Sequence, residues 1–152
     1  MRFSWTLLLL PLFSCAPFRQ RGPEAQSPPS SFVRSTAELR STRMIQVRAG
    51  LARADAMKAV ADALEVRYVV EVADPNAGFT MTAWRASAGR EGVPDLRYRT
   101  RIVARFLGDD WRRLQLRSEA NWARGDEWEI GYDVAQLDTA SRELRERLST
   151  KP

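Results

Sequence analysis

The stretch LRYRTRIVARFL, Leu96 to Leu107, constrains the fold more than any other part of the chain. Tyr98, Thr100, Ile102, Ala104 and Phe106 fall on one parity, and Arg97, Arg99, Arg101, Val103 and Arg105 on the other. Side chains of a strand point alternately to opposite faces, so this segment is a strand with one apolar face and one arginine face. Such a strand belongs in an antiparallel sheet that is covered on one side and wet on the other. Gly108-Asp109-Asp110 turns the chain, and Trp111 to Trp122 repeats the pattern. Leu114, Leu116, Ser118, Ala120 and Trp122 point inward, while Arg113, Gln115, Arg117 and Glu119 point to water.

The flanking segments supply the rest of the fold. Arg43 to Ala49 alternates, with Ile45 and Val47 on one face, and Gly50 ends it. Ala52 to Val66 carries Met57, Val60, Ala61 and Leu64 at helical spacing, with Asp55 in the first turn where it suits the helix dipole. Tyr68, Val70 and Val72 share a face, Phe79, Met81 and Ala83 alternate, and Asp74 to Gly78 between them is dense in turn formers, which predicts a hairpin. Ala86 to Asp95 reads as an exposed loop, and a short strand with Trp128, Ile130 and Tyr132 follows a turn at Arg124-Gly125-Asp126. Asp133 and Gln136 stand at capping-box spacing before a helix whose stripe is Val134, Leu137, Ser141, Leu144 and Leu148. The expected fold class is α+β: an antiparallel sheet of four to five strands with two helices packed on one face, in the order β-α-β-β-β-β-α.

The amino-terminal end has a different character. MRFSWTLLLLPLFS carries one positive charge, at Arg2, and then a run from Trp5 to Phe13 broken only by Thr6 and Pro11. The run is about half of the ~20 apolar residues a spanning helix needs, which favours a signal peptide. Leu12-Phe13-Ser14-Cys15 resembles a bacterial lipobox. The resemblance implies cleavage before Cys15, thioether lipidation of its sulfur and acylation of the new amino terminus. Two or more acyl chains anchor stably where one does not. Cys15 is the only cysteine, and acylation would remove a thiol otherwise open to oxidation. Ala16, rather than Asp, follows it; by resemblance to Gram-negative lipoproteins this favours the outer membrane, facing the periplasm.

Residues 16–35 hold four prolines and few groups that could build a core. Residues 1–14 are therefore read as a leader, 15–35 as a lipidated cysteine and Pro-rich tether, and 36–152 as a single domain. The alternative for the tether is an arm partly ordered on the domain. Pro-rich chain reaches ~3 Å per residue, enough to lift the domain tens of ångströms from a lipid surface.

The order of elements carries a second resemblance. It is similar to that of small exported bacterial lipoproteins of the BamC-like type, related to the C component of the outer-membrane β-barrel assembly machinery. The matching residues are Ala56 to Leu64 for the helix, Val70 to Ala83 with Asp74 and Gly78 for the hairpin, Tyr98 to Phe106 for the long strand and Asp133 to Leu148 for the closing helix. The assembly component has two such domains, and this chain has room for one. The resemblance implies a lipid-anchored envelope protein that works through protein contacts.

Composition narrows the chemistry. Histidine is absent and the one cysteine is taken by the anchor, which excludes Cys/His metal sites, a Ser-His-Asp triad and a Cys-His dyad. Gly89 and Gly92 do not fit a phosphate loop. No catalytic residue, metal ligand or cofactor is assigned. Glu119, Asp126, Glu127 and Glu129 are the carboxylates that acid/base work would have to draw on, but no pattern sets a pair across a cleft. Net charge is +5, of which only about +2 belongs to the folded part, so the basic balance points to no nucleic-acid partner. The candidate binding surface is the arginine face: Arg97, Arg99, Arg101, Arg105, Arg113 and Arg117. Guanidinium groups suit carboxylate and phosphate. The expected partners are the lipid bilayer through acylated Cys15 and envelope proteins, or an anionic lipid or glycan on the arginine face. The bland alternative is a merely solvated face. Trp84, Trp111, Trp122 and Trp128 are read as core and edge packing, with glycan stacking as the other reading.

Overall fold

The computed structural model describes residues 27–35, 42–88 and 93–149. The leader, Cys15 and most of the Pro-rich arm lie outside the described residues. In chain order the elements are β1 (Phe32–Arg34), β2 (Thr42–Gln46), α1 (Arg53–Glu65), β3 (Val70–Asp74), β4 (Phe79–Thr82), β5 (Arg85–Ala88), β6 (Pro94–Leu107), β7 (Arg113–Arg124), β8 (Glu127–Asp133) and α2 (Val134–Leu148).

The alternating segments form the centre. β6 and β7 pair antiparallel in unbroken register from Tyr98↔Trp122 to Leu107↔Arg113. Both strands are so long that two shorter strands line up end to end along each outer edge. On β7, β2 pairs with Arg113 to Arg117 and β8 with Ala120 to Arg124. On β6, β4 pairs with Val103 to Arg105 and β5 with Pro94 to Thr100. β1 extends the sheet beyond β8, and β3 beyond β4.

One face of this sheet is dry. Ile102, Ala104, Phe106, Leu114 and Leu116 meet Met57, Val60 and Leu64 of α1 and Leu137, Ala140, Leu144 and Leu148 of α2 in one cluster. Full burial of an aliphatic side chain is worth about 1.5–3 kcal/mol, so this cluster carries the fold. The hairpin's closing turn contributes a plug: Trp111, after Gly108 (φ 71°), stacks on Phe106 with ring centroids 4.6 Å apart. Gly78 lies against that indole, where a Cβ would come within 2.8 Å of the ring.

The sheet corrects the expected fold class. It has eight strands rather than four to five, and the order is β-β-α-β-β-β-β-β-β-α. Two of the strands that the sequence reading did not place, β1 and β5, are three and four residues long and carry little alternation. They exist because β8 offers unpaired backbone to β1 and β6 offers it to β5, a tertiary cause invisible in a short window. β5 occupies the segment expected to be loop, and β1 lies in the segment read as tether. A second correction concerns the first hairpin. A register shift between Val70 and Val72 moves Val72 off the core face, and in β4 Thr80 and Thr82 point inward while Phe79 and Met81 point outward. Thr82 is tolerated inside because its hydroxyl accepts the Ile102 N–H at 2.9 Å.

A buried carboxyl ties the arm to this frame. Asp133, only 3 % exposed, caps α2 by accepting the Gln136 N–H at 2.8 Å, as its spacing predicts. Gln136 does not reach back to complete a capping box: its side chain accepts from the Thr100 hydroxyl, and the Asp133 N–H goes to Ser118 Oγ. The other oxygen of Asp133 accepts from Tyr98 Oη at 2.7 Å and from Ser31 Oγ at 2.8 Å. Burial, and then the bond to Asp133, push the Tyr98 hydroxyl well above the usual phenol range. Ser31 also gives its carbonyl to the Val134 N–H, so the start of α2 and the end of the arm are one hydrogen-bonded unit. Phe32 packs edge-on against Tyr98, and Arg34 pairs with Glu129.

Close approach at β1 requires Gly131. A Cβ there would lie 2.3 Å from the Val33 carbonyl oxygen and against the Phe32 ring. A Gly131→Ala variant is expected to release β1 while leaving the β6–β7 hairpin folded; trypsin should then cut after Arg34 at least about tenfold faster, with little change in far-UV circular dichroism. Acid should loosen the same strand. The Arg34 guanidinium, aided by Arg124, holds the Glu129 carboxyl below its ordinary value. A group with a lowered folded value contributes stability above its unfolded value, roughly 4.3, and loses it as pH falls through the folded value. Amide protection of β1 is therefore expected to be intact at about pH 6 and to fall selectively below about pH 4.

Candidate functional site: an arginine–tryptophan ladder on the open sheet face

The parity that sends Ile102 and Leu116 inward sends arginines outward. All six residues expected on the arginine face do lie on one side of the β6–β7 hairpin. Arg97 sits at its outer end, with its side chain on Asp95 of the same strand. Backbone and side-chain hydrogen bonds from Arg97 hold the Asp95 carboxyl below its usual value. Arg113 is exposed at the opposite end, beside the turn. Arg112 lies at the turn itself, where its N–H bonds Asp110 and its carbonyl accepts from Val47. Asp95 and Glu119 pair with these arginines and Asp74 stands on the same face opposite Phe79, which leaves positive charge in excess among the described residues.

The middle of the face is ordered into a ladder. Arg99 lies between two indoles, its Cζ 4.5 Å from the Trp128 ring centroid and 5.0 Å from that of Trp84. Trp84 carries a second guanidinium, with Arg101 Cζ at 4.5 Å. Arg101 then bonds Glu119 at 2.6 Å, and the other oxygen of Glu119 takes Arg117, also at 2.6 Å. The sequence of contacts is Trp128–Arg99–Trp84–Arg101–Glu119–Arg117. It crosses four strands or their junctions: β8, β6, the β4–β5 connection and β7. A cation over an aromatic face gains ~0.5–1 kcal/mol at an exposed site and more when desolvated. Here the indoles do for Arg99 what a carboxylate does for Arg101. The Arg99 Nε is buried and makes no hydrogen bond among the described residues.

Beside the ladder is a shallow cavity of about 100 Å³, lined by Phe79, Val103, Arg105, Gln115 and Arg117. Val103 forms its floor and is 5 % exposed, although it lies on the open face. Val103 pairs with Arg117 and Arg105 with Gln115, so the two arginines stand diagonally across the hairpin with the valine between them. Arg105 has no ion-pair partner among the described residues, whereas Arg117 shares Glu119 with Arg101.

Apolar groups complete the surface. Trp128 (44 % exposed) and Ile130 project from β8, and Met44 projects from β2. Trp84, Trp128 and Phe79 join the site only through the folded register, and their roles were not legible in the sequence. The signal for Trp128 was the parity it shares with Ile130 and Tyr132 in the last strand. Trp111 and Trp122 lie elsewhere, the first in the core and the second lining a cavity of about 430 Å³ beside β1 with Phe32, Arg34 and Glu129.

The carboxylates considered for acid/base work do not all share one face. Glu119 lies on the open face between two arginines, and Glu129 on the opposite face of the sheet, also between two arginines, Arg34 and Arg124. Among the described residues no three Asp, Glu, His or Cys side chains gather as a metal site would require, and no helix is long and apolar enough to cross a membrane. No protein-family model matches the chain, and no curated protein matches it. The geometry alone therefore carries the reading: a rigid, cationic, partly apolar surface suited to binding planar anionic groups.

Trp84 is the rung shared by two guanidiniums. Trp84→Ala is expected to cost about 1–3 kcal/mol in a urea titration, from two lost cation–π contacts and the lost apolar cover. Trp84→Phe should recover roughly half of it.

Proposed function

We propose that this chain is a membrane-anchored, non-catalytic lipoprotein of the bacterial envelope, and that its folded domain is a protein-docking or scaffold module using the open sheet face. The lipobox-like segment ending at Cys15 supports the anchor, with the outer membrane and the periplasm as its place. The ladder supports the docking. Tryptophan and arginine are the residues that dominate binding energy at protein interfaces, and here they are held in a fixed arrangement before any partner arrives. Preorganisation matters because immobilising flexible side chains on binding costs ~0.5–1.5 kcal/mol each. Arg99 and Arg101 have already lost that freedom between indoles and Glu119.

The observation that carries this reading is the pairing of exposed Trp128 with the clamped Arg99 at the centre of a sheet face that no described element covers. A solvated face needs neither an aromatic scaffold nor exposed Met44, Ile130 and Trp128 around it.

Membrane fractionation of cells carrying the wild type and Cys15→Ser, combined with a photo-cross-linking residue at position 128, tests both halves. The wild type is expected in the membrane fraction and Cys15→Ser in the soluble fraction. Cross-linking from position 128 should give a discrete envelope protein, and the same probe at position 142, on the outside of α2, should not. A soluble wild type would overturn the anchor. Cross-links that are equal at both positions, or confined to lipid, would overturn the docking surface.

A further inference from the structure

We infer that the open face seats an extended, acidic segment of a partner protein, with one carboxylate held between Arg105 and Arg117 over Val103. This rests on the protein-docking reading above and names what docks.

The cavity selects the group. Its floor is the buried Val103 and one wall is Phe79, so its base is apolar, while its rim carries two guanidiniums and the Gln115 amide. A carboxylate on a short methylene stem matches that division, with the stem against Val103 and Phe79 and the oxygens on the fork-like donors. A volume of about 100 Å³ accommodates one such side chain and is well below the ~300 Å³ at which pockets for larger ligands begin. Arg105 has no ion-pair partner among the described residues and is the donor open to a newcomer. Glu119 already shows, one rung away, how a carboxylate sits on this face: it bridges Arg101 and Arg117 through separate oxygens, both at 2.6 Å.

The face selects an extended chain. Outward residues on β6 recur every second position, a spacing of about 6.8 Å, and so do same-side residues of an extended peptide. A strand with acids at alternate positions can therefore place one carboxylate in the cavity and the next toward Arg101 or Arg113. Twist argues against a lipid surface as the occupant. Neighbouring strands rotate by roughly 20–25°, so a sheet of this width is saddle-shaped and touches a plane only near its middle. A chain follows such a surface diagonally. The excess of positive charge on the face supplies the complementarity, and the exposed Ile130 and Met44 offer shelves for apolar residues between the acids.

The test uses the purified full chain in a nonionic detergent and a short fluorescent peptide alternating glutamate and valine. Its control is the same peptide with glutamine for glutamate. Two double variants remove equal charge: Arg105→Gln with Arg117→Gln on the face, and Arg142→Gln with Arg145→Gln on α2. The glutamate peptide is expected to bind, read by the anisotropy of its own fluorophore, with the glutamine peptide at least about tenfold weaker. The face variant should weaken binding about tenfold or more, and the α2 variant less than about twofold. Arg105→Lys with Arg117→Lys keeps the charge and the fold and should still lose several-fold, because an ammonium cannot make the planar two-point contact. Equal losses from the two glutamine variants would reduce the site to general charge attraction and overturn the inference. So would absence of glutamate-peptide binding at low salt, or binding of phosphatidylglycerol vesicles that the face variant abolishes while peptide binding is unaffected. Persistent protein cross-linking from position 128 without peptide binding would leave protein docking in place and remove the acidic segment.

Discussion

Unbroken register between β6 and β7 is the constraint on which everything else depends. From Tyr98↔Trp122 to Leu107↔Arg113 the strands run without a bulge, so parity fixes the fate of every side chain. Ile102, Ala104, Phe106, Leu114 and Leu116 must share one face, and α1 and α2 cover it. Arg99, Arg101, Arg105, Arg113 and Arg117 must then share the other. A one-residue slip would place those guanidiniums under the helices, where each buried unpaired charge costs several kcal/mol or more. Core and candidate site are thus two consequences of one alternation.

Crowding six guanidiniums on one face creates its own problem. Like charges a few ångströms apart repel, and salt only partly screens them at such distances. The fold answers with two kinds of spacer. Glu119 bridges Arg101 and Arg117 and offsets one of their two charges, and the indoles of Trp84 and Trp128 shield Arg99 from its neighbours while lowering the energy of its charge. The spacers come from β7, β8 and the chain between β4 and β5, so the face is ordered only when the sheet is complete. Arg105 received no spacer among the described residues, and it stands at the rim of a cavity that opens between two of these arginines.

Legibility in the sequence followed the range of the forces involved. Strand periodicity and helix stripes depend on a dozen neighbouring residues, and β6, β7, α1 and α2 could be read from them. So could the Asp133 cap, a local hydrogen bond three residues long. β1 and β5 could not, because edge strands are made by the partner that offers them backbone rather than by their own pattern. The inward turn of Thr80 and Thr82 was hidden for another reason: Phe79 and Met81 look like the core residues, and only the irregular register of β3 and the Thr82–Ile102 bond decide otherwise. The six arginines were legible as a set, but the tryptophans that organise them were not. Trp84 and Trp128 are 44 positions apart, and only the folded sheet brings both to Arg99.

The arm and the ladder meet on the same strand. β8 carries Trp128 at the ladder near its start and ends at Asp133, where Ser31 and β1 are fastened. The arm is held by a three-residue ladder, one ion pair and one buried carboxyl, whereas β8 itself is built into the sheet along its whole pairing with β7. These differ greatly in cost to open, and elements of few contacts open first. A load applied through residues 27–35 is therefore borne by β1 before it reaches β8, and β1 can detach without disturbing Arg99. Gly131 makes that junction tight enough to hold and small enough to yield: it lets Val33 approach within a distance that any side chain would forbid, yet commits no side chain to the contact. The open face keeps its geometry because β1, held by fewer contacts than β8, opens first.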